Sequence, residues 1–154
     1  MNEAVIVSTA RTPIGKAYKG AFNNTHGATL AGHAVKKAVE VAGIDPLLVE
    51  DCLIGCAMPE GATGGNIARQ IAIRGGLPVT TAGATINRFC SSGMQAITMA
   101  AQRVMSNELD ACVAGGSQFR LGSTSYQLAE PCPHNGKSSI CSYFAWSRAP
   151  RPLN

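Results

Sequence analysis

The strongest constraint on the fold is an alternation of apolar runs and helical patterns over residues 1–116. Four short, continuous apolar runs bounded by turn residues are typical of buried strands, at 4–7, 52–56, 84–86 and 111–114. Apolar residues recur at helical spacing over 30–42, 66–74 and 94–105. Buried strands that alternate with helices predict an α/β fold with a mostly parallel sheet.

Residues 117–154 have a different composition. They hold four of the eight prolines but only two of the seventeen glycines. They also carry four Lys/Arg against one Asp/Glu, so most of the net charge of +4 lies here. The segment 131–139 follows neither a helical nor a strand period. We therefore expect an ordered domain over 1–116 and an irregular, disordered C-terminal tail over 117–154, either unrelated sequence or a shifted reading frame.

Composition excludes several classes of protein. Charged residues make up 14% of the chain, against about 25% in typical domains, which argues against a charge-driven disordered protein. No apolar run approaches the roughly 20 residues of a membrane span. No basic stripe with interleaved aromatics suggests nucleic acid. The first residues, Met1 to Glu3, lack a basic leader region, so we expect a cytoplasmic protein with reduced cysteines and without membrane or nucleic-acid partners.

Cys90 lies between a predicted strand and a predicted helix, in residues 86–97, which read INRFCSSGMQAI. Backbone amides and the positive end of the helix dipole stabilise a thiolate at such a position. The same amides can stabilise an oxyanion formed when the thiolate attacks a carbonyl. The small residues Ser91, Ser92 and Gly93 leave room for a substrate. A buried, inert cysteine is the open alternative, because unpaired cysteines are among the most buried residues.

The segment around Cys90 resembles the nucleophile motif of the thiolases, the acyl-CoA C-acyltransferases. Four further segments agree with that family in order and spacing. They are 8–16 (STARTPIGK), 19–22 (KGAF), 64–70 (GGNIARQ) and 113–116 (VAGG). The resemblance implies a partial thiolase-like fold, the N-terminal βαβαβ-type half of a protein whose two similar halves pack together. It also implies a homo-oligomer and a role in fatty-acid metabolism.

The resemblance further implies the chemistry. Cys90 would take the acyl group of a 3-ketoacyl-CoA or of acetyl-CoA and pass it to CoA or to a second acetyl-CoA. Coenzyme A thioesters are then substrates, and neither a metal nor a resident cofactor is needed. Covalent catalysis by a cysteine divides such a transfer into two steps.

Other parts of the family pattern are absent from this chain. The thiolases carry a Gly-His-Pro motif, an asparagine motif and a second cysteine beyond the region matched here. We therefore expect an incomplete site with weak or no turnover. Two alternatives stay open: a non-catalytic fragment that associates with a full-length thiolase, and a related condensing enzyme of the ketosynthase type. The segment 8–16 favours thiolase over the latter.

Weaker motifs have simpler interpretations. The loop 61–66 (GATGGN) lacks the Gly-Lys-Ser/Thr of a phosphate-binding loop and is interpreted as a flexible connection. Cys52 and Cys56 are expected to be buried small hydrophobic residues on one face of a strand rather than metal ligands. In the tail, Cys132, His134 and Cys141 could supply three zinc ligands, but we interpret them as incidental residues of the tail. Lys36 and Lys37 suggest a solvated helix face or a contact for a CoA phosphate.

Overall fold

The structure is a computed structural model that describes residues 3–15, 20–117 and 141–148. Its α-helices are α1 (Gly27–Ala42), α2 (Ile67–Arg74) and α3 (Ser92–Met105), and short 3-10 helices lie at Pro46–Leu48 and Gly61–Thr63. Its strands are β1 (Ala4–Arg11), β2 (Asp51–Gly55), β3 (Ala82–Ile86), β4 (Ala111–Ser117) and β5 (Cys141–Arg148). Every strand and helix predicted from the sequence is present, which confirms the α/β class.

The five strands form one sheet in the order β1-β5-β4-β2-β3. Strand β2 is parallel to both β3 and β4, whereas β5 is antiparallel to β1 and to β4. Strands β1 to β4 therefore share one direction. Their carboxyl ends lie at one edge of the sheet, where the functional sites of open α/β sheets occur.

The core lies in two layers, one on each face of the sheet. Helices α1 and α2 cover the face that carries Ile54 and Val113, and α3 covers the face that carries Leu53 and Cys112. Alternate residues of one strand point to opposite faces, so each predicted apolar run supplies both layers. Cys52 and Cys56 lie in the same layer and are buried, as expected for small hydrophobic residues.

Helix ends follow local sequence signals. Gly43 takes a left-handed conformation (φ 67°) and ends α1, as its position in the sequence predicts. Asn66 caps α2, because its side-chain oxygen accepts a hydrogen bond from the Arg69 backbone amide at 3.3 Å. Within the described part of the chain, no helix has the length and apolar character needed to cross a membrane.

One element was not predicted. The tail was expected to be irregular, but Cys141–Arg148 form strand β5 between β1 and β4. Pairing on both sides satisfies the backbone groups of β5. A short segment without a sequence period does not reveal such pairing. The foreign origin of the tail stays a prediction.

Candidate active site

Cys90 lies in the turn that links β3 to α3, two residues before Ser92, the first residue of the helix. Its side chain is exposed, in contrast to Cys52, Cys56 and Cys112, which are buried. Cys90 is therefore not the buried cysteine of the open alternative, and its reactivity stays a prediction. The turn places the sulfur at the carboxyl edge of the sheet, beside the amino terminus of α3.

The turn is held in an unusual backbone conformation. Phe89 has a φ of 47°, in the left-handed region that non-glycine residues seldom adopt. Its backbone amide donates a hydrogen bond to Oδ1 of Asn87 at 2.9 Å. Its carbonyl accepts one from the hydroxyl of Ser92 at 2.6 Å. Both backbone groups of the strained residue are thus bound by side chains within the turn.

Ser92 holds the turn together through its hydroxyl group. It is 3% exposed, and its hydroxyl oxygen also accepts a hydrogen bond from the Arg88 amide at 2.8 Å. The hydroxyl group thus fixes the turn, and Ser92 also lines the cavity beside Cys90, so that its predicted role in leaving room for a substrate stays a prediction. Ser92 stands two residues after the cysteine, at the first helical position. This spacing is the signal that could have indicated a hydroxyl bound to the preceding turn.

Three glycines let α3 approach the sheet closely at this edge. A Cβ atom on Gly55 would lie 2.2 Å from the carbonyl carbon of Ser92. A Cβ atom on Gly116 would lie 3.0 Å from Cα of Gly93. Gly93 and Gly116 therefore let α3 and β4 approach each other closely.

A cavity of about 400 Å³ opens at the turn. Small-molecule sites usually measure roughly 300–1,000 Å³. Among the described residues, those that line the cavity include no acidic, basic or histidine side chain. They are Gly55, Ala57, Phe89, Cys90, Ser92, Gly93, Met94, Ile97, Gly116 and Ser117. The described wall thus supplies a thiol, backbone groups and apolar side chains.

The buried cysteines have a different electrostatic environment. Burial, followed by the charge of Asp51, raises the pKa of the Cys52 thiol well above its ordinary range. The same two causes raise the pKa of Cys112 to about 12, and the Arg103 charge opposes that change. Both thiols therefore stay protonated at neutral pH, where a neutral thiol is a poor nucleophile.

The histidines described by the structure do not act at Cys90. Nδ1 of His26 accepts a hydrogen bond from the Ala28 amide at 3.1 Å, so His26 caps α1. His33 is exposed on α1. Neither residue lines the cavity.

The remaining candidates have structural roles or lie outside the described residues. The loop 61–66 ends in Asn66, whose amide donates to the Gly83 carbonyl at 2.7 Å and joins α2 to β3. Lys37 pairs with Glu40 at 3.5 Å on an exposed face. The described residues contain no group of three or more potential metal ligands. Cys132, His134 and the side chain of Cys141 lie outside the described part.

Comparison with known proteins now decides the family. The family model described as "Thiolase, N-terminal domain" matches residues 4–131. The chain belongs to the thiolase family. This match continues beyond Gly116, where the motifs predicted that the resemblance ends, so part of the tail falls within the thiolase match.

Individual thiolases support the assignment. The chain is 45% identical over 118 residues to a 3-ketoacyl-CoA thiolase of Bacillus subtilis (strain 168), covering 77% of this chain and 30% of that protein. It is 42% identical over 118 residues to an acetyl-CoA acetyltransferase of Paracoccus denitrificans, with the same coverage. The crystal structure of the Bacillus anthracis acetyl-CoA acetyltransferase matches with a TM-score of 0.72 and 31% identity, over 90% of this chain and 36% of that one. The chain spans about a third of the length of these thiolases.

Proposed function

We propose that Cys90 is the nucleophile of an acyl transfer from an acyl-CoA. The thiolate attacks the carbonyl carbon of the thioester, a new carbon–sulfur bond forms, and the bond to the CoA sulfur breaks. The CoA thiolate leaves and takes up a proton from water. Free CoA reverses the step, because one thioester is exchanged for another of similar energy.

The observation that carries this proposal is the position of an exposed thiol at the amino terminus of α3, within the cavity. Backbone amides of the first helical turn point toward this end. Those of Ser91 and Ser92 donate to the Arg88 and Phe89 carbonyls, so the following amides of the turn are the candidate donors. Such amides stabilise the oxyanion that forms when the sulfur attacks the carbonyl. The fixed turn around Phe89 holds the sulfur near these amides without reorganisation.

The same geometry limits the reaction. Making or breaking a carbon–carbon bond needs an acid/base group near the acetyl carbon. The described cavity wall offers no such side chain. We propose that this chain forms the acyl-cysteine but has weak or no full turnover. The substrates would be acyl-CoA, 3-ketoacyl-CoA or acetyl-CoA, without a resident cofactor, in a cytoplasmic homo-oligomer that serves fatty-acid metabolism.

The second candidate is a non-catalytic fragment that associates with a full-length thiolase. Phe89 and Met94, exposed by 76% and 73%, favour it, because large apolar side chains seldom remain in water without a partner. Size-exclusion chromatography tests it: a monomer that does not co-elute with a full-length thiolase contradicts association. The family match leaves no observation in favour of the ketosynthase alternative.

The deciding experiment is the intact mass of the protein after brief incubation with acetyl-CoA, with peptide mapping of the adduct. We expect one acetyl group on Cys90 that is absent in Cys90→Ser and is released by free CoA. Cys112→Ala is the matched control, because it removes a buried thiol and should keep the adduct. An unlabelled protein, or equal labelling of Cys90→Ser, contradicts the proposal.

A further inference from the structure

The hydroxyl group of Ser92 joins two backbone groups that lie just before Cys90. Its oxygen accepts a hydrogen bond from the Arg88 amide at 2.8 Å, and its proton is donated to the Phe89 carbonyl at 2.6 Å. A hydroxyl group has one proton to donate, so this proton is already used. Ser92 therefore acts on the turn and has no proton left for a substrate or for the Cys90 sulfur.

The Phe89 carbonyl is held by two donors. Besides the Ser92 hydroxyl, the Ser92 backbone amide donates a hydrogen bond to it at 3.1 Å. This carbonyl belongs to the peptide group that ends at the Cys90 nitrogen, and a peptide group is planar. Fixing the carbonyl therefore fixes the plane from which the Cys90 side chain leaves the backbone.

The conformation of Phe89 depends on these hydrogen bonds. Its φ of 47° is unfavourable for a residue with a side chain. Phe89 is 76% exposed, so burial of its ring contributes little to holding the turn. Its amide donates to Oδ1 of Asn87 at 2.9 Å, and Ser92 binds its carbonyl. Loss of the Ser92 hydroxyl would let Phe89 relax to an ordinary φ and would move the sulfur.

Ser92 is itself tightly packed against the sheet. It is 3% exposed, and a Cβ atom on Gly55 of β2 would lie 2.2 Å from its carbonyl carbon. Close-packed groups of this kind have little freedom to move. The hydroxyl group thus ties the turn, and with it the Cys90 sulfur, to the contact between α3 and β2.

We propose that Ser92 is a positioning residue for Cys90. Its hydroxyl group keeps the turn in the left-handed conformation, and the turn keeps the sulfur where it can attack a carbonyl carbon beside the amino terminus of α3. This inference deepens the proposed function and rests on it for its biological meaning. The position of the sulfur can be tested with reagents that need no coenzyme A.

The test compares two reactions of Cys90 in the intact chain. In the first, the sulfur bonds to the acetyl carbon of S-acetyl-N-acetylcysteamine, the thioester bond of the reagent breaks, and the released thiolate takes up the proton that Cys90 loses. In the second, the sulfur bonds to the methylene carbon of iodoacetamide and iodide leaves. Only the first reaction passes through an oxyanion, which correctly placed backbone amides stabilise.

Both rates are read at Cys90 by peptide mapping, and the acetylation-to-alkylation ratio is divided by the same ratio for the urea-unfolded chain. We expect a normalised ratio of about ten for the parent, the order of effect of a favourably placed helix terminus. Ser92→Ala should lower this ratio about threefold or more. In a folded variant, a role in stability alone would leave the ratio unchanged.

Three further variants make the test specific. Ser92→Thr keeps the hydroxyl group and should keep the parent ratio. Thr98→Ala is the matched control, because Thr98 is exposed on the same helix and its hydroxyl donates to the Met94 carbonyl at 3.0 Å rather than to the turn. It should also keep the parent ratio. If Ser92→Ala does not fold, as shown by circular dichroism, Asn87→Ala carries the same expectation, because the exposed Asn87 holds the Phe89 amide.

A normalised parent ratio near or below one overturns the proposal. So do equal losses in Ser92→Ala and Ser92→Thr, since the hydroxyl group would then have no role of its own. An unchanged ratio in folded Ser92→Ala, or in Asn87→Ala where that variant replaces it, overturns it as well. Failure of acetyl-CoA to acetylate Cys90, while the short thioester keeps the expected ratios, contradicts only the proposed function. The two failures are therefore distinguishable.

Discussion

The two ends of the parallel strands differ in how their polar groups are used. At the amino ends, Asp51 is 5% exposed, pairs with Arg103 and accepts a hydrogen bond from the Cys52 amide at 2.7 Å. Arg103 also binds Glu108 at 2.6 Å. At the carboxyl ends, Cys90 is exposed beside an apolar cavity. Paired polar groups stabilise the amino ends of the strands. At the carboxyl ends, the exposed Cys90 thiol is available for chemistry.

Thiol reactivity should show the largest difference between the two ends. We expect iodoacetamide at pH 8 to modify Cys90 more than about a thousandfold faster than Cys52 or Cys112, because the buried thiols react only after unfolding. Time-resolved peptide mapping measures the rates. Urea should equalise them. Similar rates in the native protein would show that the core is open.

The next largest effect should come from substitution of Gly55, where α3 lies very close to the carboxyl ends of the strands. Gly55→Ala drives a Cβ atom into the backbone of Ser92, which flexible side chains cannot relieve. We expect a loss of about 3 kcal/mol or more, together with altered Cys90 reactivity. Urea denaturation measures the loss.

Gly43→Ala is the control for that substitution. Gly43 has a φ of 67° with nothing within 4 Å of an added Cβ atom. This substitution should lower the free energy of unfolding by only about 1 kcal/mol, the cost of placing alanine in a left-handed conformation. The reactivity of Cys90 should stay unchanged. Equal effects of the two alanines would contradict the packing role of Gly55.

The ion pair at the amino end should affect stability without affecting Cys90. Arg103→Met leaves the Asp51 carboxylate buried without its partner, which costs about 3 kcal/mol. Urea denaturation measures the loss, and Lys37→Ala, at an exposed pair, should cost less than about 0.5 kcal/mol. A change in the Cys90 alkylation rate beyond twofold in Arg103→Met would show that the two ends are coupled.

The smallest expected effect is a pH dependence at Glu108. The hydrogen bond from Arg103 lowers the pKa of this carboxyl group. Its stabilisation is therefore present above the unfolded pKa of about 4.3 and is lost as pH falls through the lower folded value. Glu108→Gln should have a flatter profile of unfolding free energy between pH 5 and 3. An identical profile would show that the pair contributes nothing.

The sequence predicted the elements and missed their contacts. Apolar runs and helical spacing gave β1 to β4 and α1 to α3, because these periods reflect local geometry. Cys90 was found because its motif lies between a strand and a helix. The left-handed Phe89, the doubly bound Ser92 hydroxyl and the Asp51–Arg103 pair were missed, since each depends on where a turn or a distant helix comes to lie.

The amino-acid sequence by itself determined the α/β alternation, the helix ends at Gly43 and Asn66, and the cysteine at the strand-to-helix turn. All of these follow from neighbours a few residues apart. Only the tertiary structure decided that β5 lies between β1 and β4, that Gly55, Gly93 and Gly116 meet, and that Cys90 stays exposed beside an apolar wall. These contacts join residues far apart in the chain, so they are specified by how whole elements pack and not by any local pattern.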